Sequence, residues 1–392
     1  MKICFITYNI FDLGGIQRVT SVIANELSKQ HSIKIICTSG INNIDRSIYN
    51  LSEEIDVEIN ENLKRKNIFI KIIYKLLKEI NKNTGIFNNK KMINILTEIY
   101  YPKKIRERFI KYINDNKFDV VIGVAGEYSL LLGTISDKIN AKTIGWQHNS
   151  FDAYLRNEKR YFWNQDQLFK NYISNLNEYI VLNDYDKEMF KKEFNIDSKV
   201  IYNPKSFISN EKSKVDNKQF LAAGRFNYQK GFDLLIEAFN LFSKLNSDWN
   251  LVLVGEGEEK DKIQNLINKY NLNDRIILKP ATDNIKQYFL KSSILLLPSR
   301  WEGMPMIVLE ALEMGMPTIT YNISAIYPLI EDKKEGIVVT KYDIEKFAEA
   351  MNYLANNNEI RKKMSDNCIK KSKEFEISKI INKWNQILLY HS

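Results

Sequence analysis

Two glutamates eight residues apart bracket the stretch Glu302-Gly303-Met304-Pro305-Met306-Ile307-Val308-Leu309-Glu310, directly behind the apolar run Ile294-Leu295-Leu296-Leu297. A short apolar run reads as a buried parallel strand, and proline is favoured at the first helical position. The segment therefore predicts strand, turn and helix, with Gly303 in the turn and Pro305 opening the helix. The N–H groups that open a helix have no acceptor within it and attract anions, phosphate above all. Carboxylates straddling that end would accept hydrogen bonds from hydroxyls on either side. Phosphate flanked by hydroxyls describes a nucleotide sugar. A solvated acidic pair on an ordinary helix is the bland alternative.

Other residues could serve the same chemistry. Gly224-Arg225-Phe226 ends a strand, and Lys230-Gly231 precedes the helix that follows. A diphosphate leaving group needs its developing charge neutralised, which two cations and a helix N-terminus can do without a metal. Leu13-Gly14-Gly15-Ile16-Gln17-Arg18 follows the first strand and opens a helix at about Ile16, and paired glycines let a backbone come close to phosphate or sugar. His148, in Gly145-Trp146-Gln147-His148-Asn149-Ser150, falls just past another strand end. A lone histidine is more often structural than catalytic.

The Glu-Gly-x-Pro context of the two glutamates, with its continuation Ala311-Leu312-Glu313-Met314-Gly315-Met316-Pro317, resembles the E-x7-E signature of the retaining glycosyltransferases of family 4, which have the two-domain GT-B fold. Arg225 and Lys230 match that family's Gly-Arg and Lys-Gly pair, and Gly14-Gly15 its Gly-Gly loop. The resemblance implies Arg225 and Lys230 on the donor diphosphate, Glu310 on the ribose hydroxyls and Glu302 on sugar hydroxyls. Backbone of Gly303, Met304, Pro305 and Met306 would surround sugar and phosphate, and Gly15 would contact the donor. His148 would bond the sugar near its 6-hydroxyl and support the transition state. Ala281, in Pro280-Ala281-Thr282, would border the base through backbone atoms. It further implies a metal-independent, cofactor-free transfer from a nucleoside-diphosphate sugar, UDP-linked by expectation, to an acceptor hydroxyl. The leaving phosphate would help deprotonate that hydroxyl on the same face of the sugar. If a covalent nucleophile exists, Glu302 is the candidate. The acceptor expected is a glycan or lipid-linked glycan of surface-polysaccharide assembly. A noncatalytic partner subunit of the same fold, or another GT-B enzyme such as an epimerase or phosphorylase, stands as the alternative.

Strands must position these groups. Apolar runs at 2–8, 32–38, 120–124, 142–146, 178–182 and 199–202 alternate with helical stretches, and a second series follows at 219–223, 250–254, 275–278, 294–297, 318–321 and 336–339. The class is α/β, two Rossmann-like doubly wound domains facing across a cleft whose closure would assemble the site. The expected domains are 1–203 on the acceptor side and 204–375 on the donor side, with 203–217 as a polar linker. By resemblance the terminal helix, 376–392, returns to the first domain through Trp384, Ile387 and Leu388.

Two motifs mislead. Gly255-Glu256-Gly257 imitates a dinucleotide fingerprint, but Lys260 stands where the third glycine belongs. Asp184-Tyr185-Asp186 imitates a metal-binding D-x-D, yet it opens a helix, where Asn183 or Asp184 is a natural cap.

Composition bounds the remainder. At 392 residues the chain is long for one core. No apolar run approaches the roughly 18 to 20 residues of a membrane span, Met1 to Tyr8 reads as a strand, and three scattered cysteines fit a reducing compartment. A cytoplasmic chain is expected. The net charge of +9 concentrates between Leu63 and Tyr112, with 14 Lys or Arg against three acidic residues, interleaved with Ile, Phe, Leu and Tyr. Such helices can rest on an anionic membrane surface or simply present a solvated face. Nucleic acid is not expected, because no recognition motif accompanies the charge.

Overall fold

The computed structural model describes residues 1–40, 44–64 and 68–389. Arg65 and Lys66 of the basic segment, and 390–392 of the expected terminal helix, lie outside the described residues. The chain divides into two units: Met1–Tyr202 with the chain from Ile380 on, and Asn203–Lys379.

The first unit is built on a seven-stranded parallel sheet of order β3-β2-β1-β4-β5-β6-β7. Its strands are β1 (Lys2–Thr7), β2 (Ser32–Cys37), β3 (Asp56–Ile59), β4 (Val120–Val124), β5 (Lys142–Trp146), β6 (Glu178–Val181) and β7 (Lys199–Val200). β1, β4 and β5 are almost wholly buried, as expected of strands covered by helices on both faces. The expected set lacked β3. Its sequence Asp-Val-Glu-Ile carries two acids because it is an edge strand whose Asp56 and Glu58 pair with Lys34 of β2 at 2.9 and 2.8 Å. The terminal helix Ile377–Leu389 buries Trp384 and Leu388. Trp384 meets Trp146 edge-on at 4.9 Å between ring centroids, and Lys142 Nζ donates to the Ile387 carbonyl at 2.6 Å.

The second unit holds a six-stranded parallel sheet of order β10-β9-β8-β11-β12-β13. The strands are β8 (Gln219–Ala223), β9 (Asn250–Val254), β10 (Ile276–Lys279), β11 (Ile294–Leu297), β12 (Thr318–Tyr321) and β13 (Gly336–Val339). In each sheet the chain reverses direction of travel at its first strand, β1 or β8, and ligands of such sheets bind beyond the carboxyl ends of the strands there. Segment 203–217, expected as a linker, is instead stitched to the second unit: Lys205 N–H donates to the Phe375 carbonyl and Ser213 N–H to that of Met314. Its polar residues serve buried partners, described below. All three cysteines are buried and free. No helix among the described residues is long and apolar enough to cross a membrane.

Candidate functional site

Beyond β11 the chain turns through Pro298 to Pro305 into the helix Met306–Met314. Pro305 caps that helix with extended backbone, so the first helical residue is Met306, one place later than expected. Gly315 ends it in the left-handed conformation, the usual role of glycine there. No side chain caps the N-terminus, so the N–H groups of the first turn face outward from the helix end.

Facing this turn is the loop after β8. Arg300 N–H donates to the Gln229 carbonyl at 2.8 Å, and Gln229 Nε2 donates to the Trp301 carbonyl at 3.0 Å. Arg300 grips Asp233 with two parallel bonds of 2.9 and 2.8 Å, donates to the Tyr228 carbonyl, and lies over the Tyr228 ring. Burial would weaken both charges, but this pairing holds the Asp233 carboxyl below its ordinary range and raises Arg300 above its own. Gly231, at φ +67°, lets the loop pass so close that a Cβ would overlap the Pro298 carbonyl oxygen. Gly255 and Gly257 serve a similar need, since a Cβ on either would strike the backbone of Gly224 or Phe226. The Gly-x-Gly is thus a packing feature behind the Arg225 loop.

These contacts deliver Lys230 to Glu302. Nζ donates to Oε1 at 2.6 Å, and the Ser299 hydroxyl donates to the same oxygen at 2.6 Å. Glu302 is almost fully buried at 6% exposure. Farther along the helix Glu310 is buried too, and its Oε1 accepts from Ser206 at 2.6 Å. Gly303, Met304 and Met306 are buried at the turn, and Asn203 Nδ2 donates to the Met304 carbonyl at 3.3 Å. Asn203 Oδ1 is buried with no partner among the described residues. Arg225 is exposed at the end of β8, with no ion pair among the described residues, and Ala281 is exposed beyond β10. A buried, paired carboxylate beside a lysine, an exposed arginine and an open helix end can hold an anion and neighbouring hydroxyls together.

Sequence reasoning missed what supports this cluster. Glu313 accepts from Lys205 at 2.6 Å, Lys212 at 2.7 Å and the Ser209 N–H at 2.9 Å, fastening 203–213 against the helix. Ser299 and Arg300 adjoin the motif, but nothing local in the sequence pairs Arg300 with Asp233.

Gly15 and His148 belong to the first unit. Gly15 is exposed and begins the helix Gly15–Ser28, one residue earlier than expected, while the Gly14 N–H donates to the Tyr49 hydroxyl at 2.7 Å. His148 sits beyond β5, its ring 4.2 Å from that of Trp146. Its Nε2 is buried without a partner among the described residues, and burial pushes its pKa down to about 3. The ring is neutral at ordinary pH and offers hydrogen bonding, not charge. Asp186 does not hold the open geometry of a D-x-D ligand: Asn183 caps the helix by accepting from the Asp186 N–H at 2.8 Å, and the Asp186 carboxylate is fully buried.

Residues 205–371 match the family model of the glycosyl transferases group 1. An uncharacterized glycosyltransferase of Haemophilus influenzae is 29% identical over 99% of both chains. A Campylobacter jejuni protein, 24% identical over 99% of this chain and 98% of its own, is named a GalNAc-alpha-(1->4)-GalNAc-alpha-(1->3)-diNAcBac-PP-undecaprenol alpha-1,4-N-acetyl-D-galactosaminyltransferase. Among solved structures, a mutant of S. aureus TarM in complex with fondaparinux, alpha-GlcNAc-glycerol and UDP superposes with a TM-score of 0.78 at 15% identity, covering 99% of this chain and 100% of that one. The likeness at that identity is one of fold, GT-B.

Proposed function

We propose that this chain, a member of the group 1 glycosyl transferases, moves a sugar with retention from a nucleoside-diphosphate donor, UDP-linked, to an acceptor hydroxyl. The observation that carries the reading is the Lys230–Glu302 contact of 2.6 Å at the open N-terminus of Met306–Met314, inside the matched region. Arg225 and Lys230 take the diphosphate, with the helix N-terminus sharing its charge, in the place a metal would otherwise fill. Glu310 accepts from the ribose hydroxyls and Glu302 from sugar hydroxyls. His148, neutral, bonds the sugar. In the transfer the bond from C1 to phosphate oxygen breaks while the acceptor oxygen bonds C1 on the same face, and the acceptor proton passes to the departing diphosphate. Two cations that hold the bound diphosphate and stabilise it more strongly as its charge grows on departure are where the rate comes from.

For the acceptor, the relative whose name carries a diphosphate-linked polyprenol supports a lipid-linked glycan. The helix Ile68–Thr84 also supports work at an anionic membrane surface. Ile72, Leu76 and Ile80 form an exposed stripe four residues apart, flanked by exposed Lys71, Lys75 and Lys82. Replacing those three lysines by Glu should abolish cosedimentation with anionic liposomes, and unchanged cosedimentation removes that support. The transfer itself is tested by the anomeric proton of the product in NMR. Retention of the donor configuration supports the reading, whereas inversion, or epimerised free nucleotide sugar, favours another enzyme class. No product with any acceptor, despite donor binding, favours a noncatalytic subunit.

A further inference from the structure

We propose that Asp186 is the positioning residue for His148, a buried clamp that sets where the imidazole stands. The inference rests on the reading above, in which His148 touches the donor sugar. Asp186 lies in the helix Asp184–Phe194, yet its carboxylate holds both sides of the loop that carries His148. On one side Oδ2 accepts from Gln147 Nε2 at 3.1 Å, and on the other Oδ1 accepts from the Phe151 N–H at 2.9 Å. Asn183 Nδ2 adds a bond to Oδ2 at 3.3 Å. Gln147 cannot turn freely to satisfy another arrangement, since its Nε2 also donates to the Asn149 carbonyl and its Oε1 meets the Tyr179 hydroxyl at 3.1 Å. The Tyr154 hydroxyl accepts from the His148 N–H at 3.4 Å and the Gly126 N–H at 3.0 Å, which leaves the carboxylate as the one charged group bonded to the loop among the described residues.

Three donors aimed at one carboxylate favour its ionised form, because a protonated acid would bring a hydrogen of its own against one of them. No described cation faces Asp186. Its titratable neighbours are Asp152, Tyr154 and Tyr179. Burial, with Asp152 adding to it, raises Asp186 to about 7 against the bonds from Phe151 and Asn183. The clamp is thus complete above pH 7 and loosens as pH falls through it, whereas His148 itself does not charge there.

The test joins a structural and a kinetic readout. In proton–carbon NMR the His148 ring signal, assigned by its loss in His148→Gln, should move with a midpoint near pH 7 in wild type and stay flat in Asp186→Asn. In donor turnover Asp186→Asn should lower kcat by roughly 10- to 100-fold, the effect of misplacing a reacting group by about an ångström, with KM little changed and the acid limb near pH 7 gone. A wild-type His148 signal flat from pH 5.5 to 8.5 overturns the clamp even if the variant fails to fold. Equal kcat and an equal pH profile in the two proteins overturn it as well. A signal that follows Asp186 in a protein that turns over no donor supports the clamp while sinking the assigned reaction.

Discussion

Removing Glu313 isolates the fastening beneath the candidate donor site. Its carboxylate takes bonds from Lys205, Lys212 and the Ser209 N–H at 2.6, 2.7 and 2.9 Å. Lys205 and Glu313 are 6% and 4% exposed, so Glu313→Ala strands a buried ammonium, while Lys212 at 30% exposure recovers water. Losing one partner of a buried pair costs about 3–5 kcal/mol, which in a unit of this size lowers the melting temperature by about 6–20 °C. The same strap carries Ser206 to Glu310, so donor affinity should fall although Glu313 is assigned no ligand contact. Hydrogen exchange should quicken at the amides of Met306–Met314. Burial pushes the Glu313 carboxyl up, but the bonds from Lys205, Lys212 and Ser209 outweigh it and leave it below its ordinary range. A lowered folded-state value contributes stability that is fully present above the unfolded value of about 4.3 and lost as pH falls through the folded one. The wild-type and Glu313→Ala melting curves should therefore draw together as pH falls below that unfolded value and through the lower folded one. A melting temperature at pH 7 within about 2 °C of wild type, or a gap that persists at low pH, refutes the reasoning.

Arg225→Ala should leave the melting of the free protein within about 0.5 kcal/mol of wild type, as befits an exposed side chain, yet weaken UDP binding by roughly 10- to 100-fold in calorimetry. Gly231→Ala, at φ +67° and against the Pro298 carbonyl, should cost at least about 1–2 kcal/mol in urea unfolding. It should also reduce donor affinity by moving Lys230; an unchanged midpoint and affinity would show that the two loops need not touch there.

Much of this was legible because burial writes itself into parallel strands as apolar runs, and because Glu302-Gly303-Met304-Pro305 carries turn chemistry at fixed offsets. Twelve of the thirteen strands among the described residues needed no more than that, though several ends differ by a residue or two. β3 was missed because an edge strand need bury only alternate residues, and Asp56 and Glu58 read as loop until Lys34 is seen beside them. Segment 203–217 read as a linker for a related reason. Its lysines and serines are polar because Glu310 and Glu313 require partners, and those lie about a hundred residues away. Asp186 shows the same limit. Its cap position was readable from Asn183, but its hold on Gln147 and Phe151 depends on β6 and the helix after it returning beside β5. Roles that depend on a partner distant in sequence leave no periodicity behind.

On this reading the chain activates a nucleotide sugar through Glu302 and its cationic neighbours. Slow hydrolysis of each common UDP- and GDP-sugar by the purified protein, without acceptor, tests it most directly. Hydrolysis of one donor by wild type, abolished in Glu302→Ala, is the expected result. Equal hydrolysis by the two proteins, or none by wild type with any donor, would contradict it.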